Sequence, residues 1–99
     1  MVIGIGRIEI FMEGNNSLKG KRQIVKKIIE RTKNKFNVSI AEVGDNDIWQ
    51  RGQLGFSVVS NDRRVVNSTL DKVFNFIEGL GLCEIIESDF EMLNYGNHV

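Results

Sequence analysis

The sequence predicts an α+β fold, with two helices over one face of a four-stranded antiparallel sheet. Three observations predict it. Four segments carry the two-residue alternation of strands, two carry apolar residues at the 3.6-residue period of helices, and their order is strand, helix, strand, strand, helix, strand. With 99 residues, 41% hydrophobic and 26% charged, the chain has material for one core and no second lobe, so residues 1–99 are expected to form a single domain.

The first strand spans residues 2–12, where Ile8, Ile10 and Met12 share one face and Arg7, Glu9 and Phe11 the other. Gly14, Asn15 and Asn16 supply a turn, and Ser17 is placed to cap a helix. From Leu18 to Phe36 the residues Leu18, Ile24, Val25, Ile28, Ile29 and Phe36 line one helical side, with Thr32 completing the stripe. A second strand is read over 37–43, a turn over 44–47, and a third strand over 53–60 with Leu54, Phe56 and Val58 on one face. Asn61 or Asp62 caps a second helix carrying Val66, Leu70, Val73, Phe74, Ile77 and Leu80, which Gly79 and Gly81 stop. The last strand, 83–93, sets Ile86, Phe90 and Met92 against Glu87, Asp89 and Glu91, before a polar tail that contains His98.

Each helix falls between strands that need a crossover, which is the ferredoxin-like β-α-β-β-α-β plan, a two-layer sandwich whose second sheet face is open. Proline is absent, and no repeat or linker interrupts the chain.

Thirteen basic residues balance thirteen acidic ones, so no global field draws the protein to nucleic acid or an anionic membrane, and any such attraction must be local. One place concentrates it: eight of the thirteen basic residues lie between positions 19 and 35, opposed only by Glu30. Lys19, Arg22, Lys26 and Lys33 form one helical ridge, and Lys27 and Arg31 lie on the other flank. Two readings follow: a solvated amphipathic helix, or a ridge that contacts RNA phosphates. SLKGKR, residues 17–22, is not a nucleotide cradle, because a P-loop needs a second glycine and a different order.

Other constellations are thin. RGQLGFSVV faintly echoes an RNA-recognition-motif strand, yet the open face of that strand receives Gln53, Gly55 and Ser57, and no aromatic pair is left for base stacking. DNDIWQR, residues 45–51, lacks the regular oxygen ligands and glycine of a calcium loop. Its Trp49 reads either as a core plug or as an interface anchor beside Gln50. Glu84, Glu87, Asp89 and Glu91 read as the solvated face of an edge strand. With one histidine, one cysteine and no metal-ligand cluster, no catalytic residue, metal or cofactor is expected. The lone Cys83 suits a reducing compartment, and MVIGIG has neither the flanks of a signal peptide nor the length of a membrane span, so a cytoplasmic protein with no membrane partner is expected. The GIG triplet lacks the third glycine of a dinucleotide turn.

SLKGKR, KFNVSIAEVG, D-x-WQR and LGFSVVSND, in that order, resemble the YlxP-like family of small bacterial proteins, a family of unknown function, and the resemblance spans essentially the whole chain. It implies a ferredoxin-like fold and a cytoplasmic bacterial protein. It also implies a role near translation or ribosome assembly, since genes for such proteins often adjoin those for translation initiation factor two and ribosome-binding factor A. It supplies no activity and no catalytic residues. Where this chain has Gly20, the family more often has a charged helix former, which implies a looser first helical turn here. The expectation is a non-enzymatic accessory protein that binds RNA or a ribosomal particle through Lys19, Lys21, Arg22, Lys26 and Lys33, with Arg51 as an extra contact. The alternative is a homodimer or protein-interaction module using the open sheet face or an edge strand, with Trp49 and Gln50 at the interface.

Overall fold

A computed structural model describes residues 1–96; His98 lies outside them. The elements run β1 (Val2–Phe11), α1 (Leu18–Lys35), β2 (Ser39–Gly44), β3 (Arg51–Ser60), α2 (Arg63–Gly79) and β4 (Glu84–Asn94). The sheet is antiparallel throughout, in the order β2-β3-β1-β4. This is the expected ferredoxin-like α+β arrangement.

The two periodicities meet in one core. Ile8 and Ile10 of β1 and Leu54, Phe56 and Val58 of β3 face Val25 and Ile28 of α1 and Val66, Leu70, Val73 and Ile77 of α2, all buried. Each such side chain contributes roughly 1.5–3 kcal/mol on burial. Thr32 sits in the same stripe because its hydroxyl donates to the Ile28 carbonyl at 2.7 Å, so no polar group is left unpaired.

MVIGIG finds its role here. A Cβ on Gly6 would enter the ring of Phe56, and one on Gly4 would meet a Val66 methyl at 2.5 Å. The two glycines let β3 and α2 side chains lie directly on the backbone of β1.

Both helices begin on their side-chain caps: Ser17 Oγ accepts from Gly20 N–H at 3.0 Å, and Asp62, rather than Asn61, accepts from Arg64 N–H at 2.9 Å. The Arg64 amide and guanidinium hold the Asp62 carboxyl below its ordinary range. After α2, Gly81 takes φ +70°, a left-handed turn that suits glycine.

β4 departs from the expected alternation. A register shift opposite Glu9 and Ile10 pairs Ile85 with Ile10 and Glu87 with Glu9, leaving Ile86 without a partner. Ile85 therefore packs on the core in place of Ile86, which is 43% exposed; Met92, opposite Gly4, packs there as its phase predicts, and Phe90, opposite Gly6 on this edge strand, is 51% exposed. No helix among the described residues is long and apolar enough to cross a membrane.

Candidate functional site

On α1 the cations Lys19, Arg22, Lys26, Lys27, Arg31, Lys33 and Lys35 are all exposed. Glu30 comes within 3.9 Å of Lys26, an exposed pair worth little. Lys33 and Lys35 occupy the last turn, where the helix dipole favours positive charge. The ridge of Lys19, Arg22, Lys26 and Lys33 is thus present as a surface, while the wider set of candidate contacts loses one member.

That member is Lys21. The sequence makes it a ligand contact, and the structure instead leaves it 1% exposed. Its ammonium lies 3.0 Å from Glu42 Oε2 on β2 and donates to the backbone carbonyl of Asp45 in the β2–β3 turn. Glu42 Oε2 is buried and off the line of a hydrogen bond, so its tie to Lys21 is mainly ionic. The physical reason lies in helix phase: positions 21, 25, 28 and 32 share the buried side. Only a long side chain with a partner waiting across the sheet satisfies position 21 as a lysine.

The same corner ties Ser17, Trp49 and Gln50 into one clasp with Asn15 and Met12. Asn15 Nδ2 donates to the carbonyls of Ser17 at 2.8 Å and Trp49 at 2.6 Å, and Met12 N–H donates to the Gln50 carbonyl at 2.8 Å. Gly20 belongs to this arrangement, since a Cβ there would collide with Asn15 Oδ1 and approach Ser17 Oγ at 3.1 Å. Its missing side chain makes room for Asn15; the first turn is tied down, not loosened.

Trp49 is 52% exposed, so it is not a core plug. Gln50 is also exposed and contributes its backbone to the clasp. Arg51 opens β3 opposite Phe11, on the sheet face away from the helices, and so does not extend the α1 ridge. Glu42 and Asp47 do not form a carboxylate pair: Glu42 is engaged by Lys21, and among the described residues no group of three His, Cys, Asp or Glu side chains could hold a metal.

The open sheet face holds what the sequence reading passed over. Besides Arg7, Glu9, Gln53, Gly55 and Ser57, the register places Ile3, Ile5, Val59 and Leu93 there. Ile5 is 40%, Val59 57% and Leu93 42% exposed. The signal was available in the first half of β1, where Ile3 and Ile5 alternate with glycines rather than with polar residues. On this face Arg7 grips Asp89 with two hydrogen bonds, at 2.7 and 3.3 Å, which raise the Arg7 pKa. No aromatic pair stands on the central strands in RNA-recognition-motif fashion.

Cys83 is half-buried, and desolvation pushes its thiol up to about 11. Iodoacetamide labelling of the folded protein at pH 8 is therefore expected to run about a hundredfold slower than that of the unfolded chain. Equal rates would contradict this burial. The unfolded thiol ionises first, so the Cys83 contribution to stability is present below its ordinary value of 9.0 and is lost as pH rises towards about 11.

Residues 3–90 match the family described as "Protein of unknown function (DUF503)". The chain belongs to this family. Its relative in Bacillus subtilis (strain 168), "Uncharacterized protein YlxP", is 42% identical over 77 residues, covering 78% of this chain and 84% of that protein. Among solved structures, the chain is similar to the "De novo designed protein Foldit4", with a TM-score of 0.58 at 16% identity over 96% of this chain and 98% of that one. It is similar also to At3g17210 from Arabidopsis thaliana, with a TM-score of 0.48 at 9% identity over 98% of each chain. Likeness to the designed protein speaks to fold alone, since identity is so low. Family membership accords with the resemblance in SLKGKR, AEV and WQR, and assigns no activity.

Proposed function

We propose that this protein is a non-enzymatic accessory factor that binds RNA, as a free strand or within a ribosomal particle, through the exposed basic face of α1. One observation carries the reading: seven solvent-facing cations against a single carboxylate on one 18-residue helix, in a protein whose net charge is zero. Such a surface binds phosphates by releasing their counterions, and a neutral remainder keeps the attraction local. The implied neighbourhood of translation genes agrees with it. The test is anisotropy of a labelled ribosomal RNA fragment across salt concentrations, with Lys19, Arg22 and Lys26 reversed to Glu in a parallel sample; unchanged affinity and salt slope in that variant would sink the reading.

The open sheet face favours a second reading, self-association through that face. Two strands of ten residues, one of eleven and one of six, side by side, make a face of roughly 600 Å². That approaches the about 800 Å² per partner of a standard interface. Val59 and Leu93 flank Ile3 at one end of that face, and Ile5 lies one step further in. Sedimentation equilibrium should show a dimer that Ile5→Glu and Val59→Glu dissociate; a monomer at every concentration would exclude this use of the face.

A further inference from the structure

The C-terminal end of α1 meets α2 in a groove of about 310 Å³, lined by Lys35, Phe36, Lys72, Asn75 and Phe76. Its apolar walls are two half-buried rings set edge to face, with centroids 5.5 Å apart at 81°. Lys35 Nζ lies 5.7 Å from the centre of the Phe76 ring. None of the five lining residues carries a carboxylate.

The groove is continuous with the basic helix. Lys27, Arg31 and Lys35 recur every four residues, so they form one row on α1 with steps of about 6 Å, and the row ends in the groove. Aromatic surface at the end of a line of cations is the arrangement by which proteins hold single-stranded nucleic acid without reading its sequence. The rings offer π-surface to a base, the two ammonium groups offer phosphate contacts, and the Asn75 amide offers both a donor and an acceptor.

We infer that this groove takes one unpaired nucleobase of a single-stranded RNA, stacked on Phe76 where Lys35 now lies, with the flanking phosphates on Lys35 and Lys72. The inference rests on the RNA reading above and adds to it a subsite, a strand preference and a direction of travel along Lys27, Arg31 and Lys35. Duplex RNA, whose bases are already stacked, cannot fill the groove.

The experiment uses the full chain and fluorescein-labelled oligoadenylate of about ten nucleotides, intact or with abasic sites, followed by anisotropy. The intact strand should bind about tenfold more tightly than the abasic one, and Phe76→Leu, which keeps apolar volume but removes the π-face, should abolish the difference. Lys35→Gln and Lys72→Gln should each flatten the salt slope by about 0.7. An unchanged thermal midpoint for Phe76→Leu shows that the packing survives. Equal affinity for intact and abasic strands, or a preference that persists in Phe76→Leu, overturns the subsite; if that binding still falls on reversal of Lys19, Arg22 and Lys26, the RNA reading stands without it. No binding of any strand by the unsubstituted protein overturns both.

Discussion

Lys21→Ala is expected to lower the stability of the domain by about 3 kcal/mol, the low end of what breaking a buried ion pair costs. The substitution removes the cation that Glu42 faces at 3.0 Å and the donor that ties down the Asp45 carbonyl. It also empties the space of the aliphatic stem, which approaches the backbone position of Gly52. The low end applies because Glu42 keeps 19% of its side chain exposed and regains some hydration, whereas Lys21 has none. For a domain of this size the thermal midpoint should fall by about 15 °C. Lys21→Met, which refills the stem volume, should cost less, and joining it to Glu42→Gln should recover part of the loss, so that a double-mutant cycle isolates the pair. A midpoint for Lys21→Ala within a degree or two of the parent would show that the clasp carries no weight. RNA affinity at a temperature where the variant stays folded should be unchanged, since the buried ammonium cannot meet a phosphate.

Reversing Lys19, Arg22 and Lys26 together should do the opposite, leaving the fold and removing the binding. If Lys19, Arg22, Lys26 and Lys33 each meet a phosphate, the ridge by itself should contribute about −3 to the salt slope on single-stranded RNA, nearly two decades of affinity between ~50 and ~200 mM salt. With Lys33 alone remaining on that ridge the slope should flatten by about 2. Stability should scarcely move: all three positions are exposed, glutamate is a good helix former, and acidic residues early in a helix suit its dipole. Positions 19, 22 and 26 stay like-charged neighbours, and the one pair that changes sign is Lys26 with Glu30, which becomes repulsive by ~0.3–0.5 kcal/mol. The result that would end the reading is a variant with an unaltered slope; binding that vanishes only with the fold is checked by circular dichroism on the same samples.

Which residues could be read in advance follows from the range of the forces involved. Helix and strand periods are local, so Ser17 as a cap, the Val25–Ile28–Thr32 side of α1 and the Leu54–Phe56–Val58 face of β3 were legible within a few residues of themselves. The extra residue in β4 was not, because a register shift exists only between two strands: Ile86 alternates correctly within its own segment and still loses its partner on β1. Gly20 misled for a similar reason. Intrinsic propensity makes it a weak helix former, and its reason for being there is Asn15, which bridges to Trp49 thirty-four residues away in sequence.

The ferredoxin-like α+β plan, and the gathering of positive charge on the first helix, were legible in the chain alone, because composition, period and capping chemistry are written in neighbouring residues. How the eight clustered cations divide depends instead on contacts distant in sequence. Seven face water, and Lys21 turns inward to Glu42, since whether a lysine is a ligand contact or a structural pin depends on what stands across the sheet from it. Packing of α1 on α2 likewise brings Phe36, just past the end of α1, against Phe76 of α2 as the walls of one groove beside Lys35 and Lys72.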